Sequence, residues 1–159
     1  MTSGRFCLIA VTLAGTAVAL SPGCGDSNVE PCTTCPPIEG RYTLEFAEGA
    51  LPAECNPLSI ELPEGPLEVN RAGSQLTGTV DGVALQGTVY QTYDFSLVGA
   101  RTPTDGGTET YSFSGRYVPA RMDGGTGQLT GSFNGNYSRT LPTGAQRCAV
   151  GRAYTATQQ

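Results

Sequence analysis

The sequence predicts an all-β fold, a single antiparallel meander that closes or nearly closes into a small up-and-down β-barrel of about eight to ten strands. Three observations predict it. Apolar and polar residues alternate over most of the chain from Ile38 onward, no window has the spacing of an amphipathic helix, and glycines recur on the apolar face. Such alternation is typical of an antiparallel sheet with one buried face. Residues 38–159 are enough for one domain around one core.

The alternating segments define the strands in chain order. In each of them the apolar residues occupy every second position, so they lie on the face that the sheet turns toward its core. The predicted inward residues are Tyr42, Leu44 and Phe46; Leu58, Ile60 and Leu62; Leu76 and Val80; Val83, Leu85 and Val89; Tyr93, Phe95 and Leu97; Tyr111, Phe113 and Tyr117; Leu129 and Phe133; and Cys148, Val150 and Tyr154.

The best-specified local structure is a hairpin around Asp81-Gly82, because this dipeptide between two apolar runs favours a two-residue type I′ turn. The turn sets a leucine opposite a glycine at two positions, which suits the concave side of a strongly curved sheet. The predicted pairs are Val80–Val83, Gly78–Leu85 and Leu76–Gly87, and further inward glycines are Gly99, Gly115 and Gly131.

Residues 75–82 and 128–135 repeat one pattern position by position, so we expect them to be equivalent strands of the meander. After the second copy, a two-residue turn at Asn134-Gly135 would place polar residues in the core. A three-residue loop that ends at Asn136 brings Tyr137 inward instead, and this is the connection we expect.

The N-terminal residues have the plan of a bacterial export signal. Arg5 precedes an apolar run from Phe6 to Leu20, which is shorter than the ~20 residues needed to span a membrane. We therefore expect residues 1–23 to be a signal peptide. Cleavage after Ala19, at an A-x-A-like site, is the alternative and would release a soluble protein.

The Gly23-Cys24 pair resembles the processing site of bacterial lipoproteins. The resemblance implies that Cys24 becomes the acylated first residue of the mature protein. With Gly25 after the cysteine, it also implies sorting to the outer membrane. Cysteine parity favours the same interpretation, because five cysteines follow Leu20 and acylation of Cys24 leaves four, which can pair fully.

The four remaining cysteines allow three disulfide pairings. We expect Cys55 to bridge Cys148, because the first and last strands of a closed meander are neighbours. We expect Cys32 to bridge Cys35 locally, within a proline-rich tether over residues 24–37, where the bridge adds little to fold stability. The alternative is that the two tether cysteines cross to the two cysteines of the barrel.

Composition excludes several classes of function. The chain has 9 basic residues, all arginine, 14 acidic residues, no histidine and a net charge of −5. Nucleic acid is not an expected partner, because phosphate contacts need clustered cations. Without histidine there is no Ser-His-Asp or Cys-His catalysis and no histidine-ligated zinc. Glu45, Glu61 and Glu68, the candidates for a glycosidase pair, fall on outward positions beside polar residues. We expect no enzyme activity, no cofactor and no metal.

An aromatic cluster on the predicted inner face is the candidate binding site. It either lines a cavity for a small apolar ligand or fills the barrel, and filling is the default for large side chains in a barrel of about eight strands. On the outside, Arg41, Arg116 and Arg139 are candidates for anion binding. The cluster consists of Tyr93, Phe95, Tyr111, Phe113, Tyr117 and Phe133.

Gly40-Arg41-Tyr42 on the first strand and Arg152 on the last resemble the lipocalin-like (calycin) arrangement, in which a Gly-x-Trp motif near the start packs against a basic residue near the end. The sequence thus predicts a lipid-anchored envelope protein with a non-enzymatic binding or structural role and an unidentified envelope partner. A lipocalin-like carrier of a small apolar ligand is the alternative. The sequence does not predict an oligomeric state.

Overall fold

A computed structural model describes residues 32–104, 106–120, 125–142 and 144–159. In these residues eight antiparallel strands follow one another in a single meander, and the first strand pairs with both the second and the last, so the sheet is a closed barrel. The predicted fold class is confirmed. The strands are β1 (Gly40–Phe46), β2 (Leu67–Ala72), β3 (Gln75–Val80), β4 (Val83–Val89), β5 (Asp94–Arg101), β6 (Thr108–Val118), β7 (Gln128–Leu141) and β8 (Gly144–Gln158), with a 3₁₀ helix (Ala53–Leu58) between β1 and β2.

The connections alternate between two ends of the barrel, because each strand runs opposite to the one before it. One end, called the entry end below, holds the segment that leads into β1 and the β2–β3, β4–β5 and β6–β7 connections. The other, called the cap end, holds the β3–β4, β5–β6 and β7–β8 connections. It also holds residues 47–66, which join β1 to β2 and contain the 3₁₀ helix.

The β3–β4 hairpin is confirmed in both turn type and register. Asp81 and Gly82 have positive φ angles of 47° and 74°, as a type I′ turn requires. The Asp81 carboxylate also accepts hydrogen bonds from the N–H groups of Glu64 and Gly65, at 3.0 and 2.9 Å, so the turn fastens the long β1–β2 connection. The observed pairs are Val80–Val83, Gly78–Leu85 and Leu76–Gly87.

The inward glycines permit a close approach of neighbouring strands. Gly115 and Gly131 are direct partners across β6 and β7. A Cβ atom added at Gly131 would overlap the carbonyl oxygen of Ser114, and one added at Gly115 would overlap that of Thr130. Only glycine therefore fits at these two positions. The close approach of β6 and β7 agrees with the strong curvature that the inward glycines predicted.

The strand predicted at Leu58, Ile60 and Leu62 is wrong. The chain there forms the end of the 3₁₀ helix and then an irregular segment, since Pro57 and Pro63 lack the N–H group that a strand ladder needs. Leu58 and Ile60 are nevertheless buried, with 2% and 7% exposure. The apolar alternation therefore reflects a segment that covers the cap end.

The loop predicted to end at Asn136 is also wrong, although Tyr137 does point inward. β7 runs without interruption from Gln128 to Leu141, because β8 offers it a hydrogen-bonding partner over that whole length. Gly135 then occupies an inward position between Phe133 and Tyr137. A Cβ atom there would lie 2.7 Å from the Tyr137 ring, so the glycine makes room for that ring.

Residues 32–37, assigned by prediction to the tether, pack against the entry end. Cys32 is 6% exposed and its N–H donates to the carbonyl oxygen of Val89, the last residue of β4, at 3.5 Å. The Gln91 amide donates to the Thr33 hydroxyl at 3.2 Å. The packed domain therefore includes these residues, and the predicted start at residue 38 is too late.

Candidate functional site

The predicted aromatic cluster lies inside the barrel, with one exception. The Phe133 ring is at its centre, with its centroid 4.9 Å from that of Phe113 and 5.6 Å from that of Tyr111. Phe46 adds a further ring, 5.2 Å from Phe133. Rings at these distances are in direct contact, so the side chains pack on one another in the barrel. The buried members, none more than 3% exposed, are Phe95, Tyr111, Phe113, Tyr117 and Phe133.

Tyr93 is the exception, and its predicted interior position is wrong. It is 40% exposed and has a φ of 68°. Its N–H donates to the Tyr90 carbonyl at 3.0 Å, and the Tyr90 N–H donates to the Asp94 carbonyl at 2.9 Å, so a tight turn joins β4 to β5. The turn's left-handed last residue breaks the alternation and sets the side chain over the entry end, partly exposed to solvent. There the Tyr93 ring stacks on the buried Tyr117 ring, with centroids 6.5 Å apart and planes 3° apart.

A buried carboxylate lies above the aromatic rings, toward the cap end. Glu109 is 5% exposed and on the inner face of β6. Its oxygens accept hydrogen bonds from Arg101 Nε at 2.8 Å and Arg139 Nη2 at 3.0 Å, and from the Tyr111 hydroxyl at 3.1 Å. These four residues, called the Glu109 cluster, join the inner faces of β5, β6 and β7.

The surroundings of Glu109 keep it ionised. Burial by itself raises the pKa of this carboxyl, but the hydrogen bonds from Arg101 and Arg139 outweigh burial and hold the pKa below its usual range. Burial also raises the pKa of Tyr111 to about 12, so its phenol stays protonated and can donate to Glu109. The cluster is thus one ionised carboxylate held between two guanidinium groups, with a neutral phenol as a third donor.

The Glu109 cluster also fastens the segments that close the cap end. Arg101 Nη1 donates to the Asp81 carbonyl at 2.7 Å, in the β3–β4 turn. Arg139 Nη1 donates to the Leu58 carbonyl at 3.4 Å, at the end of the 3₁₀ helix. Arg101, Arg139 and Tyr111 thus donate their hydrogen bonds to Glu109 and to backbone carbonyl groups of the covering segments. These contacts tie strands and connections together, which is a structural role.

The sequence interpretation did not single out Glu109 or Arg101. Strand parity could have placed both residues on the inner face. Glu109 lies two residues before the inward Tyr111, and Arg101 lies two residues after the inward Gly99. The anion-site prediction is contradicted for Arg139, which faces Glu109 inside the barrel.

The other two arginines of that prediction remain outside but are not brought together. Arg41 on β1 pairs with Glu68 at 3.4 Å. Arg116 on β6 pairs with Asp94 at 3.7 Å and donates to the Thr92 carbonyl. Each guanidinium already has a neighbouring acceptor, so the three arginines form no common anion site.

A groove of about 460 Å³, called the outer groove, lies on the outer face of β6, β7 and β8 near the cap end, and more of its accessible lining is apolar than polar. Glu54 of the 3₁₀ helix and Arg147 of β8 contribute opposite charges to it. Threonine, serine and asparagine side chains supply neutral hydrogen-bonding groups, so the groove offers a partner both apolar contact and hydrogen bonds. The remaining lining residues are Thr108, Thr110, Asn136, Tyr137, Ser138, Cys148 and Ala149.

Both expected disulfides are present, each with Cα atoms 5.1 Å apart. Cys32 pairs with Cys35 at the entry end. Cys55 pairs with Cys148, but from the 3₁₀ helix, so the bridge fastens the β1–β2 connection to β8 while β1 itself closes the barrel by hydrogen bonds. Cys24, the predicted lipidation site, and the predicted signal peptide lie outside the described residues.

The contact implied by the calycin resemblance is not formed. Tyr42 is buried, donates to the Ile38 carbonyl at 2.6 Å and pairs with Gln158 near the entry end. Arg152 lies farther along β8, roughly 20 Å from Gln158 at the rise of a strand, and donates to the Ala50 carbonyl. The two residues therefore serve different ends of the barrel.

Two kinds of feature are absent from the described residues. No three cysteine, aspartate or glutamate side chains among them are grouped as ligands for a metal ion. None of the helices in this part of the chain is long and apolar enough to cross a membrane.

Comparisons with family models, curated proteins and solved structures found no match to the chain.

Proposed function

We propose that the protein is an exported, lipid-anchored barrel of the cell envelope with a non-enzymatic binding or structural role. The observation that supports this most directly is that the four cysteines of the described residues all pair with one another, in two disulfides. Disulfides persist in oxidising compartments, as export would require. The pairing leaves Cys24 without a cysteine partner after the signal, which agrees with its acylation.

The outer groove supports a binding role. It combines one carboxylate and one guanidinium with hydroxyl and amide groups, on three long strands that are hydrogen-bonded to each other over most of their length. A rigid surface of this kind binds a partner without a large loss of conformational entropy. We therefore assign the binding role to this groove, with an envelope protein as the partner.

The packing of the interior argues against the alternative of an apolar-ligand carrier. A carrier needs an internal cavity of roughly 300–1,000 Å³. Here Phe113 and Phe133 contact each other in the middle of the barrel, and the Glu109 cluster links the strands to the segments that cover the cap end. Both features favour a filled, structural interior.

Metabolic labelling with a radioactive fatty acid tests the lipid anchor. The wild-type protein should carry the label, and Cys24→Ser should abolish it. Cys7→Ser, which changes a cysteine inside the predicted signal, is the matched control and should keep the label. Persistent label in Cys24→Ser would refute the anchor, and so would a free, alkylatable Cys24 thiol in the mature protein.

Native mass spectrometry of the protein released from its own envelope tests the binding role. We expect a co-purifying partner with the wild type and with Thr77→Arg, which changes an exposed residue of β3. Asn136→Arg places a long cationic side chain in the groove and should remove that partner. Equal partner occupancy in the two variants would exclude the groove as the binding surface.

A further inference from the structure

An exposed apolar patch lies at the entry end of the barrel. Tyr93 and Val118 are 40% and 44% exposed, and Pro119 beside them is also exposed. Tyr117 lies beneath, stacked on the Tyr93 ring, and its N–H donates to the Tyr93 carbonyl at 2.9 Å. These four residues, called the entry-end patch, form a shallow groove together with Thr92 and Arg116.

The backbone conformation of Tyr93 indicates that a tyrosine side chain has a role at this position. A φ of 68° is easily adopted by glycine, and costs a bulky residue about 1 kcal/mol or more. Glycine is the usual residue at this position of a three-residue hairpin loop. An aromatic side chain with an apolar ring and a polar hydroxyl occupies it instead, and such side chains favour the boundary between lipid and water.

The entry end is also the end from which the proposed anchor reaches the membrane. Cys32 binds the carbonyl oxygen of Val89 there, beside the β4–β5 turn that carries Tyr93. Cys24 precedes Cys32 by eight residues, and a fully extended chain of that length spans at most about 28 Å. An acyl chain on Cys24 therefore keeps Cys32, and with it the entry end that carries the patch, tethered within about 28 Å of the bilayer.

Charge favours the same orientation. At the entry end, Arg71 pairs with Glu39 at 2.8 Å and Arg116 pairs with Asp94, so these charges compensate each other. At the cap end, the β1–β2 connection carries four exposed glutamates and no basic residue of its own. Arg139 and Arg152 donate to its carbonyl groups and Arg147 lies near Glu54, but the four carboxylates outnumber these three guanidinium groups, and anionic headgroups repel the excess of negative charge. The glutamates are Glu48, Glu54, Glu61 and Glu64.

We infer that the entry-end patch is a second membrane contact, in which Tyr93, Val118 and Pro119 enter the headgroup region of the bilayer that holds the lipid anchor. The cap end and the outer groove then face away from the bilayer. The inference rests on the proposed anchoring through Cys24. It adds an orientation to the anchor, because a single flexible attachment would leave the barrel free to rotate.

Tryptophan fluorescence tests the contact, since the chain contains no tryptophan. Tyr93→Trp and Val118→Trp place a single probe in the patch. Val98→Trp is the matched control, because Val98 is 48% exposed on the outer face of β5, several residues farther from the entry end. Each variant is purified from the envelope, checked by mass spectrometry for the acyl chain, and reconstituted into phosphatidylcholine–phosphatidylglycerol vesicles that contain phosphatidylcholine brominated near the glycerol end of its acyl chains.

The expected result is a blue-shifted emission that brominated lipid quenches for Tyr93→Trp and Val118→Trp, and an unshifted, unquenched emission for Val98→Trp. Acylated protein with unquenched probes at both patch positions overturns the contact and leaves the anchor standing. Quenching of all three probes also overturns it, because the barrel would then lie on its side. Protein without an acyl chain refutes the proposed function, and the contact with it.

Discussion

Cys55 and Cys148 are 93 residues apart in the sequence, and their Cα atoms lie 5.1 Å apart in the barrel. The bridge joins the 3₁₀ helix to the first part of β8, which precedes the residues of β8 that pair with β1. It therefore holds the covering segment of the cap end in place, whereas Cys32 and Cys35 close a short ring at the entry end.

We expect Cys55→Ala/Cys148→Ala to lower the free energy of unfolding by about 4–5 kcal/mol, because the bridge removes the closure entropy of a long loop from the unfolded chain. Cys32→Ala/Cys35→Ala should cost no more than about half as much, since its ring is short. Urea unfolding under non-reducing conditions gives both values. Equal losses, or a larger loss for the short ring, would contradict the entropic account.

Removal of the buried carboxylate should also destabilise the barrel. Glu109→Gln leaves two guanidinium groups without their common acceptor, but the Arg101 side chain is 39% exposed and can turn to solvent. We therefore expect a loss of about 1–3 kcal/mol, below the ~3–5 kcal/mol typical of a fully buried pair. Glu45→Gln, at an exposed position of β1, is the control and should change stability by no more than about 0.5 kcal/mol.

The same residue predicts a dependence on acid. The folded-state pKa of Glu109 lies below its ordinary value of 4.5, so its contribution to stability is complete above that pH and disappears as the pH falls through the lowered pKa. The stability difference between wild type and Glu109→Gln should therefore narrow below about pH 4.5, measured by urea unfolding at several pH values. A difference that stays constant down to pH 3 would show that the carboxylate charge is not what stabilises the cluster.

The sequence predicted the barrel well because its signals are local. Asp81-Gly82 selects one turn, and that turn fixes the register of β3 and β4. The glycine pair of β6 and β7 was readable in the same way, since a residue without a side chain on a buried face marks close approach.

The Glu109 cluster was not predicted because a buried charge is tolerated only when its partners are close in space. Arg101, Glu109 and Arg139 stand on three different strands, so the sequence does not show that they meet. Arg139 was predicted to lie outside, and the other two were not singled out. Tyr93 was misplaced for a related reason. One residue in the left-handed conformation shifts the alternation, and no glycine marks the place.

Two alanine substitutions distinguish a glycine that close strand packing requires from a glycine at an open outward position. Gly131→Ala places a Cβ atom against the Ser114 carbonyl, so we expect a loss of about 2–3 kcal/mol. Gly151→Ala on β8 faces outward, and the nearest atom to its Cβ would be Asn134 Oδ1 at an ordinary 3.5 Å. This control should change stability by no more than about 0.5 kcal/mol. Thermal and urea unfolding measure both, and a neutral Gly131→Ala would show that the strands can separate without strain.

Two buried tyrosines make a matched test of hydrogen bonding in the core. The Tyr42 hydroxyl donates to the buried Ile38 carbonyl at 2.6 Å, so Tyr42→Phe should cost about 1–2 kcal/mol. The Tyr154 hydroxyl is buried without a hydrogen-bond partner in the described part of the chain. Tyr154→Phe should therefore stabilise the barrel, by about 1 kcal/mol, because it removes an unpaired polar group. Urea unfolding at pH 7 measures both, and a loss of stability in Tyr154→Phe would reveal a partner for that hydroxyl.

High pH extends this test, because burial raises the pKa of Tyr154 above its ordinary value of 10.0. Above about pH 10 the unfolded chain releases this proton while the folded chain retains it, so the wild type loses stability as the pH rises through that range. Tyr154→Phe has no phenol to ionise at this position, so its advantage over the wild type should grow between pH 8 and pH 11. Urea unfolding at both pH values, with tyrosinate absorbance followed in parallel, checks the expectation. An advantage that is the same at both pH values would mean that Tyr154 ionises as readily in the folded barrel as in the unfolded chain.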